Sequence, residues 1–242
     1  MEPLLSGKKI LITGGTSELG TAFVLKALED GASVFFTHFR SVEKAKKLEA
    51  SGARGFFLDL ADKKSLDAFL ERFIHESETL DILIHNAAIA ADERIENLSE
   101  EDWDKVIAAD LKAPFYLTKG LLPLLMRNPP NKIFMIVSQA GLHGLAGAAN
   151  YAAAKGGLLA MMKSMAMELG RKKILVNAVN PGFMKSRLTE NLSEKIIKQA
   201  LDRSPLKALS DPREVAEFLA YLCSDLVKQV TGQVFHFESR SL

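Results

Sequence analysis

The chain has 242 residues, 48% hydrophobic and 25% charged, an ordinary balance for one α/β domain with a sizeable core. Lys and Arg number 31 against 30 Asp and Glu, so the net charge of +1 lacks the basic excess of a nucleic-acid binder. The single cysteine, Cys223, excludes an intrachain disulfide and a multi-thiolate zinc site, and no His/Asp/Glu cluster has metal-ligand spacing. No apolar run nears the roughly 20 residues that cross a bilayer, and the first residues carry no long apolar leader. A cytoplasmic protein without metal, membrane or nucleic-acid partners is expected.

In chain order, Ile10–Ile12 is a compact apolar run that predicts a first strand. Glu18 to Asp30 then places Leu19, Ala22, Phe23 and Ala27 at helical spacing, with Gly31 as a stop. Further strands are expected at 34–36, 56–58, 82–84, 133–137, 174–179 and 234–237, and helices near 42–50, 63–77, 99–127, 150–170 and 212–224. Ser99 with Asp102 makes a capping box with Asp in place of Glu. The Asn128–Asn131 segment, with its two prolines, reads as a turn rather than a domain boundary. Strands that are apolar throughout are buried on both faces, as in a parallel sheet covered by helices. Repeated βα units with right-handed crossovers then give a Rossmann-type doubly wound α/β fold of about seven strands, as a single domain over residues 1–242.

After the first strand, Thr13-Gly14-Gly15-Thr16-Ser17-Glu18-Leu19-Gly20 opens the first helix. Glycines there let backbone approach a diphosphate whose charge sits against helix N-terminal N–H groups. Tyr151-Ala152-Ala153-Ala154-Lys155 puts Tyr and Lys on one helix face. A free phenol, with a pKa of about 10, suits proton transfer poorly near neutrality. An ammonium about 4 Å away would favour phenolate by roughly 4 kcal/mol at an effective dielectric near 20, which corresponds to a downward shift of up to about three units. Ser138 closes the strand at 133–137, where residues of a parallel sheet face a ligand crevice. Its hydroxyl can hydrogen-bond a carbonyl oxygen and steady a developing alkoxide.

These motifs resemble those of the short-chain dehydrogenase/reductase family over nearly the whole chain. The glycine turn matches the pattern Thr-Gly-x-x-x-Gly-x-Gly, with Glu18 in place of the middle glycine. Ser138 precedes Tyr151 by the family's thirteen residues. Asp59-Leu60 looks like the adenine-contacting segment after the third strand. His85-Asn86-Ala87-Ala88 resembles the Asn-Asn-Ala-Gly motif in Asn86 and Ala87. Pro181-Gly182, with Met184 and Ser186, resembles the segment that receives the nicotinamide carboxamide. Thr231-Gly232-Gln233 resembles the approach to the last strand, whereas Glu238-Ser239-Arg240 departs from the usual Asp-Gly-Gly.

The resemblance implies a dinucleotide held by Gly14, Thr16, Ser17, Leu19 and Gly20, by Asp59, Leu60, Asn86 and Ala87, and by Tyr151, Lys155, Pro181, Gly182, Met184 and Ser186. It implies catalysis by Ser138, Tyr151 and Lys155. It places Asp110 where relatives carry Asn; charged, Asp110 can pair with Lys155 or tune a proton relay, or it can substitute structurally. Glu18 either faces solvent or weakens cofactor binding by repulsion. An acid after the second strand would hold a ribose and repel a 2′-phosphate. His38 stands there instead, with Arg40 and Ser41 beside it, so NADP(H) is expected, although Arg40 is also readable as a solvated surface charge. His143 lies on an expected substrate-lining loop or simply faces solvent. Cys223 reads as core, and Met161, Met162, Met165 and Met167 as core or subunit interface.

Within the family the wording around Asn150–Gly156 and Asn180–Phe183 is most similar to 3-oxoacyl-[acyl-carrier-protein] reductases. That implies a small-molecule or acyl-carrier-linked ketone as substrate and a homotetramer. Arg171-Lys172-Lys173 falls where such reductases carry basic residues that attract an acidic carrier. A sugar or secondary-alcohol dehydrogenase is the alternative within the family, and a non-catalytic dinucleotide-binding regulator the alternative outside it.

Overall fold

A computed structural model describes residues 3–186, 189 and 194–237. Seven parallel strands form one sheet: β1 (Lys9–Ile12), β2 (Ser33–His38), β3 (Arg54–Phe57), β4 (Ile82–His85), β5 (Asn131–Ile136), β6 (Ile174–Asn180) and β7 (Val234–His236). Their order is β3-β2-β1-β4-β5-β6-β7. The chain runs outward from β1 in both directions, so β1 and β4 flank the switch point where a doubly wound sheet opens a crevice at its C-terminal edge.

The central strands alternate between two cores. Ile10, Ile12, Ile82, Ile84, Phe134 and Ile136 face one layer, packed by α1 (Glu18–Glu29), α2 (Val42–Ala50) and α9 (Pro212–Cys223). Leu11, Leu83, Ile133, Met135 and Val176 face the other, packed by α3 (Lys63–Glu76), α5 (Ala113–Leu125) and α7 (Ala149–Leu169). Burial on both faces is why these strands carry continuous apolar runs, interrupted by a few buried polar residues such as Lys132 and Asn177. Cys223 lies in the first core and Met162 in the second, whereas Met167 is exposed.

Local signals act as expected at several ends. Ser17 caps α1 by accepting from the Gly20 N–H at 3.1 Å, and Gly31 takes φ +85° just past the helix. The Ser99 hydroxyl accepts from the Asp102 N–H and donates to its carboxylate. The helix expected over 99–127 is different. It comprises α4 (Glu100–Ile107), one π-helical turn at Ala108–Lys112, and α5. The wider turn inserts a residue without ending the helix, and it carries Asp110 fully inside. The third strand begins at Arg54 rather than Phe56. Two helices add to those expected: α6 (Ala140–His143) and α8 (Glu194–Arg203).

Candidate active site

The glycine turn after β1 is built for close backbone approach. Gly14 has φ +66°, and a Cβ there would lie 2.8 Å from the Ala87 Cα. Only glycine lets the turn after β1 meet the loop after β4 this closely. Thr13 and Asn86 stitch the two together. The Thr13 hydroxyl accepts from the Asn86 and Ala87 N–H groups at 3.0 and 3.1 Å. The Asn86 amide donates to the Thr13 and Gly14 carbonyls and to the Ser17 hydroxyl at 2.9, 3.0 and 3.1 Å. Thr16 and Leu19 are buried behind this cradle. The N-terminus of α1 thus opens at the switch point, beside Asn86 and Ala87.

Glu18 does not stand alone in solvent. Its carboxylate meets the Lys44 ammonium of α2 at 3.4 Å. At the end of β2, burial holds His38 below the usual imidazole range, with Glu49 opposing. The His38 Nδ1 is buried without a hydrogen-bond partner among the described residues. Arg40 lies over the exposed Phe39 ring, 5.3 Å from its centroid. Asp59 is fixed after β3, where its carboxylate accepts from the Ala61 N–H and its N–H donates to the Ser65 hydroxyl; Leu60 packs beside it, partly buried. This donor set, a glycine cradle at a helix N-terminus flanked by an unpaired imidazole nitrogen and a guanidinium, fits a dinucleotide.

The reacting groups lie at the same edge of the sheet. Ser138 follows β5, and its Oγ accepts from the Ala140 N–H at 3.2 Å. The short α6 then rests directly on α7: a Cβ on Gly141 would lie 2.6 Å from the Lys155 carbonyl carbon. That contact brings Ser138 to Tyr151. Asn150, fully buried, donates to the Ala91 carbonyl at 2.9 Å and fixes the start of α7 against the loop after β4.

The Lys155 ammonium lies 5.5 Å from the Tyr151 ring centroid. It donates to the Ile136 carbonyl at 3.3 Å and meets the Asp110 carboxylate at 3.6 Å. The expected lowering of the phenol pKa by Lys155 is reversed. Burial pushes Tyr151 above its usual range, outweighing the pull of Lys155 and of the Ser138 hydrogen bond, and Asp110 adds to the rise. Burial likewise pushes the Asp110 carboxyl up, against Lys155 and the Ile89 N–H. His85 was not among the sequence candidates. It is buried behind Lys155, with Nε2 at 2.8 Å from the Thr118 hydroxyl. Burial first and Lys155 second hold it down to about 3, so it is neutral.

On the far side of the crevice, Pro181 is buried and Gly182 packs against Ser210 and Phe237. The Ser186 N–H donates to the Thr189 hydroxyl, which in turn donates to the Met184 carbonyl, both at 2.8 Å. Thr231 joins β6 through the Val176 N–H at 3.0 Å. Glu238-Ser239-Arg240 lies outside the described residues. His143 ends α6, on a helical turn rather than a loop, and is exposed. Arg171-Lys172-Lys173 precedes the seven-residue β6, at the edge of the sheet away from Ser138, about 20 Å along the strand. Among the described residues no group of three His, Cys, Asp or Glu can hold a metal, and no helix is long and apolar enough to cross a membrane.

Comparison with known proteins agrees with this fold. A family model described as enoyl-(acyl carrier protein) reductase matches residues 14–239. The 3-oxoacyl-[acyl-carrier-protein] reductase of Thermotoga maritima is 37% identical over 236 residues, covering 95% of this chain and 96% of that one. Its namesake from Aquifex aeolicus is 34% identical, with 98% of each chain covered. Among solved structures, the Pseudomonas aeruginosa RhlG/NADP active-site complex superposes with a TM-score of 0.89 at 27% identity, covering 99% of this chain and 98% of that one. A dehydrogenase/reductase from Sinorhizobium meliloti gives the same TM-score at 25% identity, covering 100% and 98%. Fold and crevice together define an oxidoreductase that works with a nicotinamide dinucleotide. The chain belongs to the short-chain dehydrogenase/reductase family.

Proposed function

We propose that residues 1–242 act as a single NADPH-dependent ketone reductase whose substrate is a 3-oxoacyl thioester. The observation that carries this reading is the meeting of Ser138, Tyr151 and Lys155 at the C-terminal edge of the sheet, beside the Gly14–Ala87 cradle. Gly14, Thr16, Ser17, Leu19 and Gly20 would hold the diphosphate, Asp59 and Leu60 the adenine, and His38 and Arg40 the phosphorylated ribose. Asn86, Ala87, Tyr151 and Lys155 would hold the nicotinamide half, and Pro181, Gly182, Met184 and Ser186 its carboxamide. When bound, the reduced nicotinamide supplies a hydride.

The protein supplies the proton and the setting. The Ser138 hydroxyl donates to the substrate carbonyl oxygen and steadies the charge that develops there. The Tyr151 hydroxyl gives its proton to that oxygen, which becomes the alcohol. A phenol held above its usual range stays protonated near neutrality, and the Lys155 charge and the Ser138 hydrogen bond, which both pull it back down, are what favour release of its proton. Lys155, held by the Ile136 carbonyl, faces the resulting phenolate with a positive charge. The exposed His143 stands at the rim as a substrate contact.

The thioester reading rests on the relatives' names and on the resemblance of the Asn150–Gly156 wording to that of such reductases. Carrier attraction by Arg171, Lys172 and Lys173 would act from the far edge of the sheet, so it is separable from turnover. A homotetramer in the cytoplasm is part of the same proposal, with the partly buried Met161 and Met165 and the exposed Met167 of α7 as interface candidates. The test is NADPH oxidation with carrier-linked 3-oxoacyl thioesters, truncated thioesters, sugars and simple ketones. Turnover of the thioesters above the rest supports the reading. Turnover of sugars or simple ketones alone moves the substrate to the sugar or secondary-alcohol class.

A further inference from the structure

Asp110 and Lys155 are both withdrawn from solvent, with side-chain exposures of 0% and 3%. The π turn at Ala108–Lys112 turns residue 110 inward against α7. One carboxylate oxygen accepts from the Ile89 N–H at 2.9 Å and so anchors the loop after β4. The other lies 3.6 Å from the Lys155 ammonium. An amide at this position could keep the Ile89 bond. Its second group would then be an NH2 donor facing an ammonium, and the direct contact would be lost. The carboxylate therefore does something that the family's Asn cannot.

We propose that Asp110 is a positioning residue whose carboxylate holds Lys155 in a buried ion pair, so that the pair, rather than Lys155 alone, governs when Tyr151 gives up and regains its proton. The proposal rests on the assignment of Tyr151 as proton donor. Lys155 stabilises the phenolate only as far as its charge is unbalanced, and Asp110 balances it. The groups that face this cluster are Lys155 and Tyr151 on α7, the neutral His85 at the end of β4, and Asp92 on the loop after β4, whose charge also raises the Tyr151 phenol. Of these, Asp110 is the acid in direct contact with Lys155. Its negative charge raises the Tyr151 phenol in the same sense as burial does.

The chain has three tyrosines, so ultraviolet difference titration can isolate Tyr151 without substrate or cofactor. The tyrosinate titration of Tyr151→Phe is subtracted from that of the parent, and the same subtraction is made in an Asp110→Asn background. Asp110→Ser, which keeps a small acceptor for the Ile89 N–H, is measured in parallel in case the amide variant folds poorly. The expected result is a Tyr151 midpoint lowered by about one pH unit in the uncharged variants, a tenfold change in the ionisation constant. The acid limb of alcohol oxidation with NADP+ and a small 3-hydroxyacyl thioester should move the same way. Superimposable titrations in the folded variants would overturn the proposal and leave Asp110 a structural anchor for Ile89. Failure of the underlying assignment looks different: Tyr151→Phe would then turn over like the parent, whatever Asp110 does.

Discussion

The Lys44 ammonium of α2 reaches the Glu18 carboxylate at the start of α1, 3.4 Å away. Glu18 occupies the position where the family's glycine turn has its middle glycine, so its charge bears on cofactor affinity. Pairing with Lys44 removes the need for the carboxylate to face a diphosphate. The pair is half open to solvent, with side-chain exposures of 32% and 57%, and such pairs contribute about 1 kcal/mol or less.

Glu18→Gly should therefore change NADPH affinity by less than about fivefold, under roughly 1 kcal/mol. It should also lower the melting temperature slightly, because glycine adds backbone freedom at the helix start. Fluorescence titration of NADPH with both proteins measures the first effect. A gain of tenfold or more would show that the carboxylate faces the phosphates.

Cofactor choice should depend on Arg40 more than on His38. Burial keeps the imidazole neutral near pH 7, so it can hydrogen-bond but adds no positive charge. The guanidinium carries the charge that a 2′-phosphate needs. The parent should favour NADPH over NADH. Arg40→Ala should lose about tenfold in kcat/KM with NADPH, roughly 1.4 kcal/mol, and little with NADH. Equal losses with both cofactors would leave Arg40 a surface cation resting on Phe39.

Acid should weaken the fold through His85. Its folded pKa of about 3 lies below the unfolded value near 6.5, so the unfolded chain binds more protons between those limits. The stability that a neutral buried imidazole provides is present above pH 6.5 and is lost as pH falls toward 3. Between pH 7 and pH 5 the loss should be about 2 kcal/mol. Urea unfolding at both pH values checks it against His85→Asn, which has no imidazole to protonate. The variant should lose less stability over this interval by about that amount, and an identical loss would contradict the assignment.

Most of the sheet was legible because its central strands are buried on both faces and carry continuous apolar runs, as in Ile82-Leu83-Ile84. The π turn was not, since one extra residue at Ala108–Lys112 leaves a continuous helical pattern around it. α8 was missed although Ile196, Ile197, Ala200 and Leu201 recur at helical spacing; the helix is short, and of these residues only Ala200 is buried. In the site, Tyr151 and Lys155 declared themselves by helical spacing, and Ser138 by its distance from Tyr151. The Asp110–Lys155 pair, 45 residues apart, was one of the readings the family resemblance left open for Asp110, whereas the Glu18–Lys44 pair joins segments 26 residues apart that only packing brings together. The sign of the Tyr151 shift was misjudged for the same reason, because spacing reveals the neighbouring ammonium but neither the burial nor the acid behind it.

The central claim is that Tyr151 donates the proton in a ketone reduction. Its most direct test is Tyr151→Phe, which removes one oxygen and keeps the ring. Purified variant and parent are compared for NADPH binding and for NADPH oxidation with a small 3-oxoacyl thioester. Binding should stay within a few-fold, while turnover should fall by about 10²–10⁴-fold, the usual contribution of a positioned proton donor. Turnover equal to the parent's, with NADPH still bound, would contradict the claim and take the chemistry away from this crevice.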